Sequence, residues 1–90
     1  MTYKERLDAY HKVVRQLTAQ IIEKTTERSK THKATWDFVP IETIVHAAHL
    51  KTARAIDSSR GDVIDLEAID EAVIDGIAYL AKVYQRVHDT

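Results

Sequence analysis

Apolar residues in the first third of the chain recur at alternating spacings of four and three. This 3.6-residue period predicts one long amphipathic helix from about Thr2 to about Arg28. Thr2 and Glu5 have the spacing of a capping box, in which each residue's side chain satisfies a free backbone N–H of the other. The stripe consists of Tyr3, Leu7, Tyr10, Val14, Leu17 and Ile21. A stripe of this length needs partners on both of its halves.

Two further helices are predicted after a connector, and residues 1–90 form a single domain. The connector, 29–39, has no period, and Trp36 is expected to plug one end of the bundle. The second helix runs from about Pro40 to about Ile56, since proline is favoured in the first turn of a helix. The third runs from near Asp65 to near His88. With two glycines and one proline, the chain has too few turn residues for an all-β fold, so the predicted class is all-α.

The third helix is apolar around most of its circumference. Its main stripe consists of Leu66, Ile69, Val73, Ile77, Leu80, Tyr84 and Val87. A helix with such a wide apolar surface is usually buried by several neighbours, which three helices cannot supply. We therefore expect an antiparallel helical bundle that a second copy of the chain completes as a homodimer.

The amino-acid composition excludes several classes of protein. The chain has no cysteine, so disulfide frameworks and thiolate zinc sites are excluded. It has no run of 18 apolar residues and no apolar segment after its charged N-terminus, so neither a membrane span nor a signal peptide is expected. The net charge of −1 argues against a dedicated nucleic-acid binder. The expectation is a soluble cytoplasmic protein without a membrane partner.

Acidic side chains concentrate late in the chain. Residues 57–75 hold seven of the fourteen acidic residues and one basic residue, whereas most of the charged side chains in residues 1–33 are basic. The acidic segment should therefore attract either the basic part of the chain or a cation.

Four carboxylates of the third helix form an acidic ridge. Glu67, Glu71 and Asp75 follow one another at one-turn spacing, and Asp70 lies one turn from Glu67. Oxygen ligands spaced in this way suit Mg²⁺. The alternative is a solvated acidic face, because a helical wheel places Glu71 and Asp75 roughly opposite Val73.

Two other pairs are candidates for chemistry. Glu23 and Glu27 could approach the acidic ridge if the first and third helices pack antiparallel, or could simply face water and neighbouring bases. Lys51 lies almost at the centre of the second helix's apolar stripe, where a cation must extend to solvent, pair with an acid or bind a ligand. It could pair with the acidic ridge, or hold a phosphate together with Arg54.

The stretch from Asp70 to Leu80 resembles a motif of the all-α nucleotide pyrophosphohydrolases, the MazG-like superfamily. The stretch from His32 to Trp36, followed by Lys51 and Arg54, is similar to a shortened relative. Members of the superfamily are helical bundles, usually dimers or tetramers. They hydrolyse nucleoside triphosphates to monophosphate and pyrophosphate, with Mg²⁺ held by Glu-Glu-x-x-Glu on one helix and Glu-x-x-Asp on a later one.

The resemblance implies a magnesium site and a nucleotide substrate. The implied metal ligands are Glu23, Glu27, Glu67, Asp70, Glu71 and Asp75. Lys51 and Arg54 would be catalytic by stabilising charge on the phosphates, and Trp36 could stack on a base. Three residues separate Glu71 from Asp75 where the family has two, so a catalytically diverged member is also open. A non-enzymatic homodimeric interaction or regulatory module is the alternative, because the apolar faces are broad.

Overall fold

The fold consists of three helices. The computed structural model describes residues 1–30, 37–61 and 63–89. Helix α1 spans Tyr3–Ser29, α2 spans Ile41–Ser59 and α3 spans Leu66–His88, and no strand occurs within the described ranges. The predicted all-α class is confirmed. The expectations for Trp36 and for the stretch from His32 to Trp36 fall on residues 31–36, which lie outside the described residues.

Capping side chains set the starts of α1 and α3. The Thr2 hydroxyl accepts the Glu5 N–H at 3.1 Å, and the Glu5 carboxylate accepts the Thr2 N–H at 3.4 Å. The predicted capping box is therefore confirmed. At α3, the Asp65 side chain accepts the Ala68 N–H at 3.0 Å, which satisfies one of the free donors of the first turn.

Helix α2 continues three residues past its predicted end at Ile56. Asp57, Ser58 and Ser59 resemble a turn in composition, but the penalty for Asp and Ser inside a helix is only a few tenths of a kcal/mol relative to good helix formers. The Ser59 hydroxyl donates to the Ile56 carbonyl at 2.7 Å. The chain turns after this point at Gly61, whose φ of 104° is a conformation that glycine adopts without steric cost.

Helix α3 returns alongside α2. Near the turn, the Asp65 N–H donates to the Ser58 carbonyl at 3.3 Å. At the other end of the pair, Lys82 contacts Asp37 at 3.1 Å and the Arg86 guanidinium donates to the Val39 carbonyl. These contacts hold the two ends of α3 against α2 and the residues just before it, and α2 and α3 form the main packed pair.

The face of α3 that packs on α2 is not the predicted main stripe. Ala72, Asp75 and Gly76 are the buried residues of α3, and this face lies roughly 110° around the helix from the predicted stripe at 100° per residue. Small side chains allow a second helix to approach closely, which decides the packed face here. Five members of the predicted stripe are consequently exposed: Leu66, Ile77, Leu80, Tyr84 and Val87.

Helix α1 has no buried residue. Its second half meets α3, where Leu17 and Ile21 are half-buried. In its first half the apolar stripe is open to solvent, and Tyr3 and Tyr10 are 74% and 64% exposed. Within the described residues, the first half of the stripe therefore lacks the partner that the sequence predicts for it. None of the described helical segments is long and apolar enough to cross a membrane.

Candidate functional site

All three helices meet at the carboxylate of Asp75. This residue of α3 is 7% exposed and is the buried charged group of the described chain. From α1, Lys24 Nζ lies 2.9 Å and Arg28 3.1 Å from its Oδ1. From α2, Lys51 Nζ lies 3.4 Å from its Oδ2. We call these four residues the Asp75 cluster.

Small neighbours on α3 bring Lys51 into the cluster. Gly76 follows Asp75, and a Cβ placed on it would lie 3.6 Å from Lys51 Cβ. The stem of Lys51 therefore packs against the backbone of α3 while its ammonium turns toward the carboxylate. Of the two predictions for Lys51, pairing with the acidic ridge is confirmed.

Lys24 and Arg28 continue the apolar stripe of α1. They follow Leu17 and Ile21 at the same alternating spacing, so the side of the helix that packs on α3 becomes basic in its last two turns. Neither residue was predicted from the sequence as a member of the site. Two cations at core positions of an amphipathic stripe were the available signal for a buried acid opposite them.

The pKa of Asp75 is lowered from its ordinary value of 3.8. Burial by itself raises this pKa, because it disfavours the charged form. The hydrogen bond from Lys24, the charge of Arg28 and the hydrogen bond from Lys51 act in the opposite direction and outweigh burial. Asp75 is therefore ionised at neutral pH, and three cations from two other helices surround one buried anion.

The other five candidate metal ligands are not gathered around Asp75. All five are exposed: Glu23, Glu27, Glu67, Asp70 and Glu71. Glu27 pairs with Lys30 at 3.1 Å on the same helix. Within the described ranges, no group of three or more His, Cys, Asp or Glu residues could hold a metal ion.

The helical wheel was wrong about Asp75, which it placed on the solvated side with Glu71. A helical wheel shows only the angle of a side chain around its own helix. It does not show that Lys24 and Arg28 of α1 lie over Asp75. With Lys24, Arg28 and Lys51 on its two oxygens, Asp75 acts within one chain as an ion-pair centre that joins the helices.

Lys51 and Arg54 line a shallow cavity beside the Asp75 cluster. The cavity measures about 250 Å³, and Ala47, Leu50 and Tyr79 complete its lining. Arg54 is exposed, so its planar guanidinium is accessible to an anion. The structure thus brings the two predicted catalytic residues together, next to a phenol.

Comparison with known proteins gives no relative: no protein-family model, curated protein or solved structure matches this chain. The resemblance to the nucleotide pyrophosphohydrolases consequently rests on the motif residues alone.

Proposed function

We propose that this protein is a homodimeric helical interaction module, in which a second copy completes an antiparallel bundle. The observation that carries this proposal is the exposed surface of 7324 Å². A folded monomer of 10.3 kDa exposes about 5,400 Å². The chain therefore has about 1,900 Å² more surface than a self-sufficient monomer of its mass.

The interior and the shape of the chain support the same proposal. Among the described residues, the buried apolar side chains are Ile44, Ala48 and Ala72, which is a small core for three helices. The radius of gyration is 15.2 Å, against about 12 Å for a compact domain of this length. A core of this size requires additional burial to offset the conformational entropy lost on folding.

The surplus surface has the size of an obligate dimer interface. Obligate homodimers bury roughly 2,000–5,000 Å² in total, or at least about 1,000 Å² on each subunit. Exposed apolar side chains lie on the first half of α1 and along the outer face of α3. These two faces form the proposed dimer interface, and the module's activity would be to pair two copies of the chain.

Sedimentation velocity from low micromolar to hundreds of micromolar protein tests this function. We expect a species of twice the 10.3 kDa chain mass, and a thermal midpoint that rises with concentration, because dimer formation is linked to folding. A 10.3 kDa species throughout, with a cooperative transition that does not depend on concentration, would overturn the proposal.

A nucleotide pyrophosphohydrolase is the second candidate function. The observation in its favour is the cavity that Lys51 and Arg54 share with Tyr79, since two cations beside an aromatic ring suit a phosphate joined to a base. The six carboxylates named for Mg²⁺ do not fit a metal site in the described single chain. We therefore derive no metal-dependent step.

Pyrophosphate release from a panel of nucleoside triphosphates with Mg²⁺ separates the two functions. The interaction module predicts no release above that of a heat-inactivated sample. The pyrophosphohydrolase predicts release that falls strongly in Arg54→Ala, because this variant removes a cation from the cavity. Asp75→Ala is a poor diagnostic here, since it also removes the ion pairs that join the helices.

A further inference from the structure

A groove runs between α1 and α3. It measures about 300 Å³, and its apolar lining comes from Val13 and Leu17 of α1 and from Val73 and Ile74 of α3. Three polar residues complete the lining: Gln16, Gln20 and Asp70. An apolar floor with polar edges between two helices has the form that receives a third amphipathic helix.

An unpartnered amphipathic segment of suitable length exists in the same chain. The first half of α1, residues 3–14, carries an exposed apolar stripe, with Tyr3 at 74%, Tyr10 at 64% and Val14 at 40% exposure. Lys4 and Arg6 flank this stripe on opposite sides at 100° per residue. The segment leads directly into the part of α1 that lines the groove, and Val13 belongs to both. Because α1 is one continuous helix, the segment cannot fold back into the groove of its own chain.

The groove and the segment carry charges of opposite sign at their edges. Asp70 lines the groove, Glu67 precedes it by one turn on α3, and both side chains are exposed. Neither has an ion-pair partner within 1–30, 37–61 and 63–89. Lys4 and Arg6 are likewise exposed and without such a partner in the described part of the chain. The acidic edge of the groove therefore complements the basic flanks of the α1 stripe.

We propose that the groove between α1 and α3 receives the first half of α1 from a second copy, antiparallel to the resident α1. This deepens the proposed homodimer and rests on it. Antiparallel pairing of two α1 helices is a two-fold arrangement, in which each copy donates one segment and receives one. It covers the apolar stripe, fills the groove and places Lys4 and Arg6 of one copy near Glu67 and Asp70 of the other.

Charge exchange between two full-length variants tests this arrangement. Variant one carries Lys4→Glu and Arg6→Glu, and variant two carries Glu67→Lys and Asp70→Lys. Each variant alone places like charges at both contacts of its dimer, so we expect the dissociation constant to rise by about tenfold or more. In an equimolar mixture each contact again joins opposite charges, and we expect mixed dimers to form in preference to either homodimer.

A control variant, Glu42→Lys, reverses one exposed charge on α2, which does not line the groove. This variant should sediment as the wild type does. Circular dichroism of each variant checks that its helix content is unchanged. A further variant, Arg6→Gln with Asp70→Asn, removes the charges without reversing them and should raise the dissociation constant by less.

Three results decide between the proposals. Recovery of dimers in the mixture supports the groove arrangement. Variants that dimerise as tightly as the wild type, or a mixture no tighter than its components, overturn it while leaving the homodimer in place. A monomeric wild-type chain overturns the homodimer and this arrangement together.

Discussion

Asp75→Asn should lower the free energy of unfolding by about 2–3 kcal/mol at neutral pH. The substitution keeps the shape of the side chain but leaves Lys24, Arg28 and Lys51 facing one another without the buried anion. Removing one partner of a fully buried pair costs about 3–5 kcal/mol. The value here is smaller because the three cations are 24–45% exposed and can recover part of their hydration. Urea unfolding at a fixed protein concentration measures the change.

Glu71→Gln is the matched control for this prediction. It removes a carboxylate from the same helix at an exposed position and should change the free energy of unfolding by no more than about 0.5 kcal/mol. Equal effects of Asp75→Asn and Glu71→Gln would contradict the role of the Asp75 cluster.

A double-mutant cycle separates lost ion pairing from a poorer fit of asparagine. Lys24→Met should destabilise the wild-type chain, because its ammonium lies 2.9 Å from Asp75 Oδ1. In the Asp75→Asn background the same change should be neutral or stabilising, since it removes one of the uncompensated charges. Additive effects would show that Lys24 and Asp75 are not coupled.

Ile44→Ala should destabilise the protein by about 3 kcal/mol. Ile44 is 0% exposed and is the one large side chain that is fully buried among the described residues. The substitution deletes three carbon atoms and leaves a cavity. Because the core is small, few neighbouring side chains can move in to fill this cavity. Chemical denaturation with the same protein concentration for all variants gives the measurement.

Ile56→Ala deletes the same atoms from the same helix at a position that is 45% exposed. We expect a loss of no more than about 1 kcal/mol from it, because most of the deleted surface was already hydrated. If the two alanine variants were equally destabilised, the packing of α2 on α3 would not be as described.

The extents of the helices follow closely from local sequence. The capping pair of Thr2 and Glu5 and the 3.6-residue period gave the start and length of α1, because both signals act within a few residues along the chain. The end of α2 was missed by three residues, since Asp57, Ser58 and Ser59 resemble a turn in composition yet continue the helix at small cost.

The packed face of α3 could not be read from its apolar period. Periodicity identifies the more hydrophobic side of a helix, and on α3 that side carries Leu80 and Tyr84, which are exposed in the single chain. The face that packs on α2 contains Ala72 and Gly76, because small residues permit close approach. A homodimer that buries the more hydrophobic side of α3 would explain why this side is exposed in the single chain. Homodimerisation stays a prediction.

The candidate site was recovered only in part. Asp75 and Lys51 were named from their positions, and their pairing was among the alternatives. Lys24 and Arg28 were missed because their role depends on where α1 crosses α3, which no local pattern records. Magnesium binding by the six carboxylates stays a prediction that the single chain does not support, because five of them are exposed and dispersed.

Asp75 is an ionised, buried carboxylate whose ion pairs join α1 and α2 to α3. A depressed pKa in the folded state stabilises the protein above the unfolded-state pKa of about 3.9, and this stabilisation is lost as the pH falls through the folded value. An NMR titration of the Asp75 side-chain carboxyl carbon, with and without Mg²⁺, measures this pKa directly. We predict a pKa below 3.8 that does not change with Mg²⁺. A pKa at or above that value, or one that Mg²⁺ displaces, would contradict the account.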